Sequence, residues 1–267
     1  MDKKTISRDG TPIAYERHGD GPTVVLVGGA MCTGATLAPL AEALSDRFGA
    51  VTYDRRGRGG SGDTAPFAVA REVEDIAALI DTFGGGAALY GISSGGALAL
   101  EAAMSGLPVR EVAVYETPFA VDEVAGKQRA EYTERLTELL GQDRHGDAVE
   151  LFLTHVGTPP EMIAGVRMSH AWPGMEAIAP TLAYDDAAMG GGRMPRERLA
   201  ALSVPLLSVA GDASPAWMRE AARGIAEAAP NGSYRTLEGQ THMVDPGALA
   251  PVLAEFFGTD GQFGTDG

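Results

Sequence analysis

The apolar positions of this chain change period along its length, and each change marks an element. Residues 4–8 and 12–18, parted by Asp9-Gly10-Thr11, read as a β-hairpin. After the turn Asp20-Gly21-Pro22, Thr23 to Val27 is apolar throughout, as expected of a strand buried on both faces of a parallel sheet. Leu37, Leu40, Ala41 and Leu44 recur at helical spacing and predict an amphipathic helix over 36–47. Ala50 to Tyr53 is a short strand, and a helix over 68–83 turns Val69, Val73, Ile76, Leu79 and Ile80 inward. Residues 87–90 are strand-like, 97–104 are helix formers, and Val112 to Tyr115 is again a strand. Such alternation predicts an α/β fold, a mostly parallel sheet with helices on both faces and ligands at the C-terminal strand ends.

The alternation stops between about 120 and 200. Gly141, Gly146, Pro159-Pro160, Pro173-Gly174 and Gly190-Gly191-Gly192 divide this stretch into several short helices. It reads as an inserted helical cap, so the core comprises 1–119 and 201–257. Most large apolar side chains of the insertion are expected to pack between cap and body, with a minority lining a pocket. Phe152, Met168 and Trp172, together with Met31 in the loop after the third strand, are the substrate-lining candidates. Strand–helix alternation then resumes, with a strand at Val204 to Ala210, a helix at Pro215 to Ala229 and a strand at Gly232 to Leu237. The loop from Gly239 to Asp245 leads to a last helix at 246–257, and the Gly/Asp/Thr-rich stretch 258–267 is expected to be a flexible tail.

Composition narrows the partners. The 267 residues are 45% hydrophobic and 21% charged, an ordinary globular balance for one domain carrying an insertion. A net charge of −15 argues against nucleic acid and anionic membrane surfaces as partners. The single cysteine, Cys32, excludes an internal disulfide framework and a cysteine-based zinc site, and neither a metal nor a cofactor is expected. The first residues carry charges with no apolar run behind them, so no signal peptide is expected and a cytoplasmic location follows. Oligomeric state is not legible.

The chemistry centres on Gly91-Ile92-Ser93-Ser94-Gly95, a G-x-S-x-G turn between a predicted strand and an alanine-rich helix. Strand and helix nearly collide at such a turn, so the positions two before and two after the serine cannot carry side chains. The helix N-terminus aims N–H groups at the serine oxygen, where negative charge develops in acyl transfer. A second pattern, Gly57-Arg58-Gly59-Gly60-Ser61-Gly62, satisfies G-x-G-x-x-G. It leads into loop residues rather than a helix, so a dinucleotide site is rejected. Arg55 and Arg56 are then loop-organising charges rather than phosphate ligands.

With the elbow, the segment Tyr53 to Gly62 and a histidine before the last helix, the chain resembles the α/β-hydrolase superfamily over nearly its whole length. The resemblance implies an eight-stranded sheet with a helical lid after the sixth strand. It also implies Ser93 as nucleophile, His242 as general base, and the N–H groups of Ala30 and Ser94 as the oxyanion hole. The other histidines, His18, His145, His155 and His170, fall in the hairpin and the cap. The loop carries Gly28-Gly29 where the family often has His-Gly. The family's usual acid position after the seventh strand is occupied by Ser214, with Asp212 two residues early. Glu116, at the tip of the sixth strand, is the leading candidate for the acid, Asp212 the alternative, and a dyad without an acid the third arrangement. A serine nucleophile argues against epoxide opening and halide displacement, which use an aspartate. The leading function is hydrolysis of a small or medium, largely apolar ester, lactone or thioester through an acyl-serine. The alternatives are a biosynthetic C–C bond hydrolase or cyclase and a non-catalytic ligand-binding homologue.

Overall fold

The computed structural model describes residues 3–258, so the tail expected from 258 onward lies almost wholly outside the described residues. The strands are β1 (Lys3–Ile6), β2 (Pro12–His18), β3 (Thr23–Val27), β4 (Gly49–Tyr53), β5 (Ala87–Ile92), β6 (Val109–Tyr115), β7 (Leu206–Gly211) and β8 (Gly232–Leu237). They form one sheet in the order β1-β2-β4-β3-β5-β6-β7-β8. The pairs β1·β2 and β2·β4 are antiparallel, and every other pair is parallel. The tips of β3, β5, β6 and β7 therefore lie side by side, although β7 enters the chain some ninety residues after β6.

The continuous apolar runs are explained by two cores, one on each face. Val25, Val27, Val51, Leu89 and Val114 point to the side covered by α2 (Val69–Thr82), α3 (Ser94–Met104) and α10 (Ala216–Ala228). Val24, Leu26, Ala50, Tyr90 and Ala113 point to the side covered by α1 (Gly34–Leu44) and α11 (Pro246–Phe256). A side chain added to either face meets a packed layer, so these strands have no polar face to alternate with.

Between β6 and β7 lie α4 (Glu123–Gly141), α5 (His145–His155), α6 (Pro160–Arg167), α7 (Trp172–Ile178), α8 (Leu182–Ala188) and α9 (Arg196–Leu199). The segment leaves and rejoins the body at one place, where Ala120 pairs with Arg193 and the Ala120 N–H donates to the Gly192 carbonyl at 2.7 Å. Tyr184 of α8 stacks on Phe67 with ring centroids 3.7 Å apart and donates to Asp63 at 2.7 Å.

The arginine-rich loop after β4 opens no helix, because α2 starts only at Val69. Arg55, Arg56 and Arg58 are instead buried. Arg56 grips Asp75 of α2 with two bonds of 2.7 and 2.8 Å and reaches Asp9 at 2.9 Å. This explains a departure from the expected apolar face of α2, which also buries Glu72 and Asp75. Buried carboxylates at these positions are tolerable only because guanidinium groups meet them, and removing one partner of such a pair typically costs about 3–5 kcal/mol.

Candidate active site

Ser93 stands at the end of β5 with φ 56° and ψ −129°, a left-handed backbone that costs a non-glycine residue about 1–3 kcal/mol. Its neighbours hold the turn. The Ser93 N–H donates to the Tyr115 carbonyl at 3.0 Å. A Cβ on Gly91 would sit 2.4 Å from the Gly95 carbonyl oxygen, and one on Gly95 would sit 2.4 Å from that of Val27. Strand and helix meet backbone to backbone here, which is why only glycine fits on either side of the serine. We expect Gly95→Ala to cost about 1–3 kcal/mol by overpacking, read as a fall of several degrees in Tm. Activity should fall further than stability, since Val27 and Gly28 carry the adjoining loop.

Glu116 lies at the tip of β6 with φ 46° and is buried. Its Oε1 accepts the Gly211 N–H at 2.8 Å, and its Oε2 lies 2.9 Å from His242 Nδ1. A carboxylate only accepts, so Nδ1 carries the proton and Nε2 is left as the basic nitrogen. The histidine loop is tied from several sides. Tyr115 Oη donates to the Thr241 carbonyl at 2.7 Å, the Ala213 N–H to that of Gln240 at 3.1 Å, and the Asp245 N–H to Gln240 Oε1 at 2.9 Å. Asp212, the alternative acid, does not face the histidine. It is exposed, and its Oδ1 accepts the Gly239 N–H at 2.7 Å, pinning the loop from outside.

The loop after β3 runs against the serine. A Cβ on Gly29 would lie 3.0 Å from Ser93 Cβ, so the backbone at Gly29 abuts Ser93. Among the described residues, neither the Ala30 N–H nor the Ser94 N–H donates to a protein acceptor. Both are thus free of a protein partner, the second because it belongs to the first turn of α3.

Fold and sequence similarity agree on what this arrangement is. The model of the alpha/beta hydrolase family matches residues 24–252. The chain belongs to the alpha/beta hydrolase family. An alpha/beta hydrolase from Sphaerobacter thermophilus DSM 20745 is 52% identical, with 96% of this chain and all of that one covered at a TM-score of 0.87. A thermophilic esterase from Thermogutta terrifontis, 23% identical, covers 96% of this chain and 98% of its own at 0.73. The enol-lactonase of Burkholderia xenovorans LB400, 22% identical, covers 96% and 100% at 0.69. At these identities the last two share the fold.

In this alpha/beta hydrolase the expected lining residues divide. Met31, with φ 60°, packs against the helical segment from below, and Phe152 packs against the same buried cluster of Tyr132, Leu136 and Leu182. Trp172 is buried inside the segment against Val149 and Ala179, where it backs Met31. Met168 is the correction. It is 88% exposed at the end of α6, on the outer surface, because the helix turns its other side inward through Ile163. Among the described residues, no group of three or more His, Cys, Asp or Glu side chains is arranged to hold a metal ion, and no helix is long and apolar enough to cross a membrane.

Sequence reasoning missed a second cluster. Asp185 of α8 is buried and takes Arg55 Nη1 at 2.5 Å, Arg58 Nη2 at 2.6 Å and the Ser94 hydroxyl at 2.8 Å. Burial alone would raise its carboxyl pKa. Arg58, Arg55 and the Ser94 hydroxyl outweigh burial and hold it below its ordinary value. Glu72 closes the set by binding Arg55 Nε and Nη2 at 2.7 and 2.8 Å. The arginine run was a visible signal for this cluster, whereas Asp185, in a segment without clear periodicity, gave none.

Proposed function

We propose that this hydrolase cleaves a small or medium, largely apolar ester, lactone or thioester through an acyl-serine intermediate. The observation that carries the reading is the 2.9 Å contact between buried Glu116 and His242 Nδ1, beside the strained Ser93 turn. That contact leaves His242 Nε2 to take the Ser93 proton as the hydroxyl attacks the carbonyl, and then to return it to the leaving group. The imidazolium formed between these steps faces the Glu116 carboxylate. In this reading the N–H groups of Ala30 and Ser94, which bind no protein acceptor among the described residues, receive the oxyanion. The contact also weighs against a non-catalytic role, because it supplies the histidine with a carboxylate although Ser214 occupies the usual acid position.

The test combines a panel of esters, lactones and thioesters with mass mapping of a fluorophosphonate adduct. The expected adduct lies on the peptide carrying Ser93, and at least one ester class is turned over. An adduct elsewhere, or no turnover of any class, sinks the reading.

The helices between β6 and β7 serve in this reading as the cap that sets substrate size. Phe152→Ala is expected to shift the kcat/KM ratio of long to short acyl chains by about 10-fold. A change in Tm with an unchanged ratio would make Phe152 a packing residue only.

A further inference from the structure

Arg58 is held more elaborately than a loop charge requires. Its Nη1 donates to the Gly29 carbonyl at 2.7 Å and to that of Cys32 at 3.2 Å. Its Nε donates to Thr181 Oγ1 at 3.0 Å and its Nη2 to Asp185 at 2.6 Å. Arg55 Nη1, besides binding Asp185, reaches the Gly28 carbonyl at 3.3 Å. Two guanidinium groups and the carboxylates of Glu72 and Asp185 balance in charge, so the bonds to backbone carbonyls are additional to neutralisation.

The carbonyl of Gly29 and the N–H of Ala30 belong to one peptide group. That group is a rigid plane, and in its trans form the C=O and N–H point in opposite directions. A guanidinium that fixes the oxygen therefore fixes the direction of the N–H. On the other side of the site, the Ser94 side chain is tied to the same Asp185 carboxylate. Thr181 and Asp185 come from the helices between β6 and β7, while Arg58 comes from the loop after β4.

We infer that Arg58, held by Asp185 and Thr181, is a positioning residue that aims the Ala30 N–H into the oxyanion site, so that the donors are set only while the helical segment is seated. The inference rests on the acyl-serine reading above. The segment then does more than shape a pocket, because its docking supplies the anchor from which the oxyanion peptide is oriented. Preorganised donors lower the barrier because they need not turn when charge develops, and a donor free to swing loses that advantage.

The experiment compares wild type, Arg58→Met, Arg58→Lys, Asp185→Asn, Thr181→Val and Ser94→Ala on a p-nitrophenyl ester. Each is also titrated with an alkyl trifluoromethyl ketone, whose serine adduct places an oxyanion in the site. Arg56→Lys is the control, a buried arginine of the same loop that binds Asp75 and Asp9 but no carbonyl of the β3 loop. Arg58→Met is expected to lower kcat about 100-fold with KM nearly unchanged, and to raise the ketone's Ki by a matching factor. Arg58→Lys keeps the charge without the fork and should recover part of both. Should Arg58→Met fail to fold, Thr181→Val and Ser94→Ala each remove one hydroxyl and should move kcat and Ki together by a smaller factor. Arg56→Lys should lower Tm and leave both alone. Folded variants with wild-type kcat and Ki overturn the inference, as does an equal loss in Arg56→Lys. A wild type that forms no Ser93 adduct overturns the acyl-serine reading itself, a result distinguishable from the variant comparison.

Discussion

Ser93→Ala is expected to lower kcat on any substrate of this hydrolase by about a millionfold, and His242→Ala by a similar factor. In the proposed mechanism the Ser93 hydroxyl and the His242 imidazole act in one proton transfer, so neither has a use without the other. The double variant should therefore be no slower than the slower single variant. Residual turnover above the uncatalysed rate is expected from the open N–H groups of Ala30 and Ser94, which neither substitution removes. Tm should change little, since Ser93 is partly exposed and its turn is held by backbone contacts. Product formation by the variants over long incubation, set against the uncatalysed rate, checks this. A Ser93→Ala enzyme retaining a tenth of wild-type turnover would falsify the nucleophile assignment.

Glu116→Gln should be the most damaging conservative change in the molecule, lowering kcat about 10⁴-fold. The structure supplies the reason. Glu116 Oε1 is committed to the Gly211 N–H. A glutamine must therefore place its carbonyl oxygen there and turn its NH2 toward His242 Nδ1. Nδ1 then becomes an acceptor, the ring proton moves to Nε2, and the nitrogen that takes the serine proton in the proposed mechanism can no longer do so. Fold and KM should be nearly preserved, because the side chain keeps its size and its bond to Gly211. Asp212→Asn should differ sharply. An asparagine oxygen can still accept the Gly239 N–H that Asp212 Oδ1 holds, so activity should stay near wild type. A dead Asp212→Asn beside an active Glu116→Gln would reverse the assignment of the acid.

Most of the fold was legible because its determinants are local. Helical spacing in 36–47 and 68–83, apolar runs at 23–27 and 112–115, and the glycines around Ser93 each act within a few residues. The ends moved slightly. The first helix occupies Gly34–Leu44, and α3 begins directly after Ser93 rather than at 97, because its glycine-rich first turn weakens the helical signal. The insertion after β6 was visible as a loss of alternation. Which of its apolar residues face inward was not, and Met168 was misplaced for that reason: a short helix offers too few turns to define a face.

Only the tertiary structure shows which of the two carboxylates meets the histidine. Glu116 and His242 are 126 residues apart, and both acids follow apolar strands. The choice depends on β6 lying between β5 and β7 and on the left-handed backbone of Glu116, which redirects its side chain toward the histidine loop. The same holds for Arg58 and Asp185, which are 127 residues apart. The sequence marked Arg55 and Arg56 only as loop-organising charges, which act through partners. It could not say which, because pairing of this kind is set by the packing of the helical segment on the sheet. Local propensity and periodicity determined the elements and the serine turn; long-range packing selected the carboxylate that meets the histidine and the one that meets Arg58.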